Sequence, residues 1–314
     1  MMDWTDRHCR VYHRLWSPHA LLYTEMIVAD AILHGDPGRL LGYSAVEQPL
    51  ALQLGGSEPA TLARAAAIGA DFGYDEINLN CGCPSDRVQR GTFGACLMRE
   101  PDRVADAVAA MKAVVRVPVT VKCRIGVDDE VGDAFVGRFV EPLVAAGVDA
   151  LVVHARTAIL KGLSPKENRD VPPLDYDVVY RLKARYPALP IVLNGGLKTV
   201  ADVRATAGRV DGVMLGREAY HRPAVLAELE VALGYRAEPQ SAEDVLAALL
   251  PYVDAELARG TRLHSITRHI LGHYTGRPGA RQFRRTLSLA STRPGAGIAL
   301  IEAASRAALE RPAA

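Results

Sequence analysis

Short apolar runs punctuate the first two thirds of the chain, at residues 21–27, 49–54, 76–80, 118–123, 150–154, 190–194 and 212–215. Near-continuous apolar runs of this length, rich in branched side chains, are what strands buried on both faces require. Between them lie stretches of helical period, at 58–69, 101–115, 136–146, 176–186 and 200–207. Pro101 suits the first turn of its helix, where a missing N–H costs nothing. Gly147 suits a helix end, because it accepts the left-handed conformation. Repeated strand–helix units predict a parallel sheet with helices outside.

An open doubly wound sheet and a closed barrel both satisfy that pattern. The polar residues favour the barrel, since nearly every strand ends in a useful side chain or a glycine turn. These are Glu25, Gln53, Asn80 with Cys83, Lys122, His154, Asn194 with Gly195 and Gly196, and Gly216 with Arg217. Such ends converge at the C-terminal mouth of a barrel, whereas an open sheet concentrates them at one switch point. The expected fold is therefore an α/β TIM (β/α)8 barrel. Only seven strands are legible, and a helix follows the opening Asp3-Trp4-Thr5-Asp6 directly, so the first barrel strand is expected to be missing or truncated. After about residue 236 strands vanish and helical segments follow, at 242–259, 263–275, 280–290 and 297–306. Residues 1–236 thus read as the barrel domain and 237–314 as an all-helical domain.

A net charge of +1 hides an uneven distribution. From Leu257 to Ile301 there is no acidic residue, but eight arginines occur, with His264, His269 and His273 among them. A basic helical face suits a phosphate backbone, although a solvated cap has the same composition. No apolar run is long enough for a membrane span, and no h-region follows Met1, so no membrane or secretory role is expected. Five cysteines in 314 residues make no disulfide framework and suit a reducing cytoplasm.

Asn80-Cys81-Gly82-Cys83-Pro84-Ser85 follows a strand and so lies at the mouth. No second cysteine pair has zinc-site spacing, so no metal is expected, and Cys83 is left as acid, nucleophile or inert thiol. Its position, with Gly82 before it and Pro84 after it, favours a chemical role; Cys9, Cys96 and Cys123 read as core residues. Lys122 ends a strand inside the barrel, where an ammonium needs an anionic partner. His154, followed closely by Arg156, ends the next strand, and Lys122 and His154 read as two cations at neighbouring strand ends that share an electron-rich ligand. Asn194-Gly195-Gly196 and Gly216-Arg217 each lead from a strand into a helix, the usual barrel cradle for phosphate. No G-x-G-x-x-G motif follows an early strand, so a permanently bound dinucleotide is not expected. The loop 161–169 is polar and lies just beyond His154, where Lys166 and Arg169 can meet a phosphate or a base.

Together these segments resemble the tRNA-dihydrouridine synthases, in the branch acting at positions 20 and 20a. The resemblance runs the length of the chain. Its motifs are Met1-Met2-Asp3-Trp4-Thr5-Asp6-Arg7, Leu22-Tyr23-Thr24-Glu25-Met26, Gln53-Leu54-Gly55-Gly56, Asn78-Leu79-Asn80-Cys81-Gly82-Cys83-Pro84-Ser85, His154-Ala155-Arg156 and Asn194-Gly195-Gly196. It implies a barrel holding FMN, with NADPH as the electron donor and D-loop uridine of tRNA as the substrate. Cys83 matches the proton donor. Met1, Gln53, Lys122, His154, Asn194, Gly195, Gly196, Gly216 and Arg217 match the cofactor contacts. Asn80, Arg156, Lys166, Arg169, Arg281, Gln282 and Arg285 match positions that orient or bind RNA. Only Met1 and Met2 remain of the family's Ala-Pro-Met turn. A cytoplasmic monomer is expected.

Two other functions fit parts of the pattern: an FMN-barrel reductase of a small enone, and an RNA-binding protein on a silent barrel. The basic helices argue against the first, and Cys83 with the cofactor set argues against the second.

Overall fold

In the computed structural model, residues 1–85, 88–89 and 91–310 are described. Each apolar run becomes a strand of one parallel sheet. The first run yields two pieces, β1 (Leu22–Tyr23) and β2 (Ile27–Val28), which both pair with β3 (Leu50–Gly55). It breaks there because the Thr24 hydroxyl accepts the Gln53 N–H at 3.0 Å, in place of a ladder carbonyl. Next come β4 (Glu76–Cys81) and β5 (Val119–Arg124), and then a small antiparallel hairpin of β6 (Gly126–Val127) and β7 (Glu130–Val131). The main sheet continues with β8 (Ala150–His154), β9 (Ile191–Asn194) and β10 (Gly212–Met214). Among the described residues no ladder joins β10 to β1, so the sheet is an open, curled (β/α)8 barrel lacking one strand. This agrees with the count read from the sequence.

Helix α1 (Arg7–Trp16) precedes the sheet, and short helices α2 (Ala29–His34) and α3 (Pro37–Leu41) join β2 to β3. Outside the sheet pack α4 (Pro59–Asp71), α5 (Pro101–Lys112), α6 (Gly132–Ala145), α7 (Tyr176–Arg185) and α8 (Val200–Arg204). Pro101 opens α5, and Gly147 follows α6 with φ +80°, both as the sequence suggests. After β10 come α9 (Arg217–His221) and α10 (Ala224–Ala232), which the periodicity does not reveal because each offers too few turns.

The C-terminal region holds α11 (Ala242–Ala258), α12 (Leu263–Thr267), α13 (Ala280–Ala290) and α14 (Ile298–Leu309). Its core packs Val245, Leu249, Ile270, Tyr274, Phe283 and Ile301 against Val11, Tyr12 and Trp16 of α1. That core draws on residues from both sides of the boundary expected at 236/237. The helix expected over 263–275 stops at Thr267. Beyond it, Gly272 backs onto α9, where a Cβ would stand 2.4 Å from the His221 carbonyl oxygen.

The histidines also depart from expectation. His269 and His273 are buried rather than part of a basic face. His273 bonds Tyr12 Oη at 2.8 Å and the Ala242 carbonyl at 2.9 Å, and burial lowers its pKa to about 4. It is neutral, and contributes no charge. Arg268 is also committed, to Asp6 at 2.6 Å.

Candidate active site at the barrel mouth

Strand register gathers the expected side chains at the C-terminal ends. Gln53 pairs with Asn78, Asn80 with Lys122, Arg124 with His154, and His154 with Asn194. Alternation along β4 turns Glu76, Asn78 and Asn80 to one side, and a buried polar ladder results. Asn80 Nδ2 donates to Gln53 Oε1 (2.8 Å), Gln53 Nε2 to Asn78 Oδ1 (2.9 Å), and Asn78 Nδ2 to Thr120 Oγ1 (2.8 Å). Thr120 Oγ1 and Tyr23 Oη then donate to Glu76 Oε1, at 2.6 and 2.7 Å. Burial pushes the Glu76 carboxyl up, against the pull of those hydrogen bonds.

The top of the ladder holds the thiol loop. Asn80 Oδ1 accepts the N–H groups of Gly82 and Cys83, both at 3.0 Å. The Cys83 carbonyl accepts Ala95 N–H at 2.9 Å, and its thiol donates to Ser85 Oγ at 3.5 Å. Cys83 is half-buried, whereas Cys9, Cys81 and Cys123 are sealed in the interior. Asn80 was assigned to RNA by resemblance; its oxygen is occupied in shaping this loop.

Next to the loop is a cluster of positive charge. Lys122 Nζ donates to Asn194 Oδ1 at 3.0 Å, and no carboxylate pairs with it among the described residues. Burial, with repulsion from Arg124, lowers its pKa to about 8. Burial also holds His154 well below its ordinary pKa, and Arg124, Lys122, Arg156 and Arg217 add to the effect. His154 is therefore a neutral imidazole, not the cation expected. Arg156 Nε and Arg169 Nε are buried without an acceptor among the described residues. Arg217 bonds Asp170 Oδ1 (2.7 Å) and the Arg169 carbonyl (3.1 Å), so it braces the long loop.

The glycines after β9 let neighbouring side chains pack directly against the backbone. Gly195 and Gly196 have φ of +109° and +74°, and a Cβ on them would meet His154 Cδ2 at 2.5 Å and Leu174 Cδ1 at 2.4 Å. Met1 Sδ lies 3.6 Å from the position a Cβ on Gly216 would take, so Met1 and Gly216 are neighbours. The two helix starts differ: α9, after Gly216, has no side-chain cap, whereas α8 does. Asp202 Oδ2 already accepts from the N–H groups of Lys198 and Thr199, and the Thr199 hydroxyl caps Asp202, so α8 is capped internally. Positive charge in excess of the carboxylates among the described residues, with orphaned guanidinium nitrogens, fits an anionic cofactor such as FMN.

Sequence reasoning missed Arg124, Gln89, Asn168 and the ladder below Asn80. Arg124 was detectable: it stands two residues after Lys122 and so shares its side of β5. Asn168 is fully buried, and its amide ties Ile159, Leu163 and Ser164. Lys166 beside it is exposed, as are Arg281 and Arg285 on α13, while Gln282 is half-buried. No group of three or more His, Cys, Asp or Glu among the described residues could hold a metal ion. No described helix is long and apolar enough to cross a membrane.

Comparison with known proteins adds to this geometry. A solved 2-naphthoyl-CoA reductase, in complex with 2-naphthoyl-CoA, superposes with TM-score 0.55 at 11% identity. The match covers 73% of this chain and 46% of that one, and shows the fold alone. Among curated relatives, the tRNA-dihydrouridine(20/20a) synthase of Xanthomonas axonopodis pv. citri is 61% identical, over 97% of this chain and 91% of its own length. That of Vibrio cholerae is 50% identical, over 97% and 93%. The family model for dihydrouridine synthase matches residues 1–309, and the chain belongs to the dihydrouridine synthase family.

Proposed function

We propose that the protein reduces uridine to 5,6-dihydrouridine at positions 20 and 20a of the tRNA D-loop, with bound FMN and with NADPH as the electron donor. The observation that carries this reading is a mouth with more positive charge than carboxylate among the described residues, next to a partly exposed thiol. Gln53, Lys122, His154, Asn194, Gly195, Gly196, Gly216 and Arg217 would hold the FMN, with Met1 at the edge. Lys122 and His154 stand on adjoining strand ends, so one ligand could meet both. FMN, when bound and reduced, would supply the hydride for C6 of the uracil.

The remaining work belongs to the chain. The uridine has to leave its stack, at a lower cost in a loop than in a duplex. Arg156, Lys166 and Arg169 contact the RNA around it, and the exposed arginines of α13 hold the tRNA body. Cys83 delivers a proton to C5 as the ring accepts hydride, and Ser85 orients the thiol. A thiol that carries its proton can serve as a general acid at this position. Asn80 fixes the loop from below.

A Cys83→Ala variant should retain FMN and be reduced by NADPH at the native rate. Its formation of dihydrouridine should fall by at least about 100-fold, in the range for loss of a general acid. Mass spectrometry of nuclease-digested tRNA reads the product as a gain of two mass units on uridine. Full activity in this variant would remove the thiol from the mechanism. Bound, reducible flavin with no RNA product from the native protein would favour the small-enone reductase.

A further inference from the structure

Both residues that flank the acid are tied to the loop assigned to RNA. On one side, Arg124 Nε donates to the Gly82 carbonyl at 3.1 Å. Its Nη1 donates to the carbonyls of Thr157 (3.3 Å) and Asn168 (2.9 Å). On the other side, Gln89 Nε2 donates to the Pro84 carbonyl at 2.8 Å and to the Leu160 carbonyl at 2.9 Å. Cys83 lies between Gly82 and Pro84, and Lys166 and Arg169 lie on the stretch held through Leu160 and Asn168.

The two loops come from different strand ends, and each has its own support. Asn80 and Ala95 secure the thiol loop, and the β6–β7 hairpin secures the other, through Leu160 N–H to Asp128 Oδ1 at 2.7 Å. Arg124 and Gln89 are not needed to close either loop. What they add is a connection between the two. Arg124 is 3% exposed, its side chain bonds only carbonyls among the described residues, and burial lowers its pKa to about 10. A buried guanidinium spent on three carbonyls is an expensive device for loop packing alone.

We propose that Gln89 and Arg124 are positioning residues that form a clamp, coupling the seating of RNA on the 157–169 loop to the alignment of the Cys83 thiol. Neither residue transfers a proton. Each transmits position, so that an RNA which does not engage Lys166 and Arg169 meets a poorly aimed acid. The inference rests on the reading of the site given above, and it adds a check on substrate identity at the chemical step. Displacement of an acid by about 1 Å costs on the order of 100-fold in rate, which sets the size of effect expected.

The test uses the full chain loaded with FMN, reduced anaerobically and mixed with saturating unmodified tRNA in single turnover. Gln89→Met removes both donors at similar volume, and Gln89→Lys restores a donor of similar reach. Gln89→Met should lower the saturated rate by 10- to 100-fold, with flavin content and tRNA affinity within twofold of native, and Gln89→Lys should recover most of the loss. Lys166→Ala should lower the saturated rate less in Gln89→Met than in the native background, because part of its influence on the acid passes through Gln89. An equal effect of Lys166→Ala in both backgrounds overturns the proposal, as does a Gln89→Met rate within twofold of native.

Hydrogen exchange separates this failure from failure of the reaction assignment. In the native protein, tRNA should slow exchange over both 157–169 and 80–85. In Gln89→Met it should slow the first as before and the second less. Undiminished protection of 80–85 in the variant, or protection of neither segment in the native protein, refutes the clamp whether or not dihydrouridine forms. Absence of product alone counts against the assigned reaction.

Discussion

The barrel mouth and the C-terminal helices both carry positive charge, but they hold it in opposite ways. At the mouth, Lys122 and Arg124 are sunk among backbone carbonyls and amides, and burial lowers the pKa of both. On α13, Phe283 and Leu287 fill the core, while Arg281, Arg284 and Arg285 project into solvent. Arg262, Arg281, Arg285 and Arg293 meet no carboxylate among the described residues, whereas Arg259 and Arg277 are paired with Glu256 and Glu243, both at 2.8 Å. Buried charge is screened little by salt and acts over a few ångströms at fixed geometry. Exposed charge is screened strongly and acts over a Debye length of about 10 Å or less. One arrangement suits the orientation of a cofactor and a base, the other the capture of a polyanion.

The contrast is most sharply tested at the glycine turn after β9. Gly196→Ala places a methyl group against Leu174, at a φ that L residues rarely adopt, and should weaken FMN retention by at least 10-fold. Flavin content after gel filtration checks this, and tRNA affinity should be unchanged. Flavin retained at the native level would show that this turn is not part of the cradle.

On the helical side, Arg281→Gln with Arg285→Gln should leave flavin reduction intact and weaken tRNA binding. Binding measured against salt should show a log–log slope shallower by about 1 to 2, the value for two lost phosphate contacts. An unchanged slope would assign the basic face to solvation alone.

A smaller effect is expected from the buried histidines. His13 and His273 have pKa values lowered by burial to about 4 from 6.5. The unfolded chain therefore takes up protons first as pH falls. Their contribution to stability is complete above about 6.5 and is lost as pH drops toward 4, on the order of 3 kcal/mol for each. His273→Gln should flatten part of this acid dependence in urea unfolding, without altering flavin reduction. A pH profile of stability identical to native would argue against a neutral His273.

Much of the mouth was readable because strand chemistry is local. A run such as Val119-Thr120-Val121-Lys122 declares both its strand and the polar residue at its end. Asn194-Gly195-Gly196 likewise announces a turn that only glycine can make. Three features were not readable, and for a common reason. The lowered pKa of His154 depends first on its burial and then on Arg124 and Lys122, which come from a different strand. The burial of His273 depends on Tyr12, far earlier in the chain. The service of Asn80 to its own loop depends on how Gly82 and Cys83 turn back toward it. In each case the partner is set by packing, and composition offers no signal for it.

The sequence by itself determined the parallel α/β order, the seven strands, the helical C-terminal region and the identity of the groups at the strand ends. It could do so because side-chain periodicity and glycine geometry act over a few residues. Tertiary structure alone decided which of those groups are charged, which amides and carbonyls they satisfy, and that α1 joins the core of the C-terminal helices. It also decided that Arg124 and Gln89 span two loops. Burial and hydrogen bonding between distant segments control these properties, and both come into being only when the chain is folded.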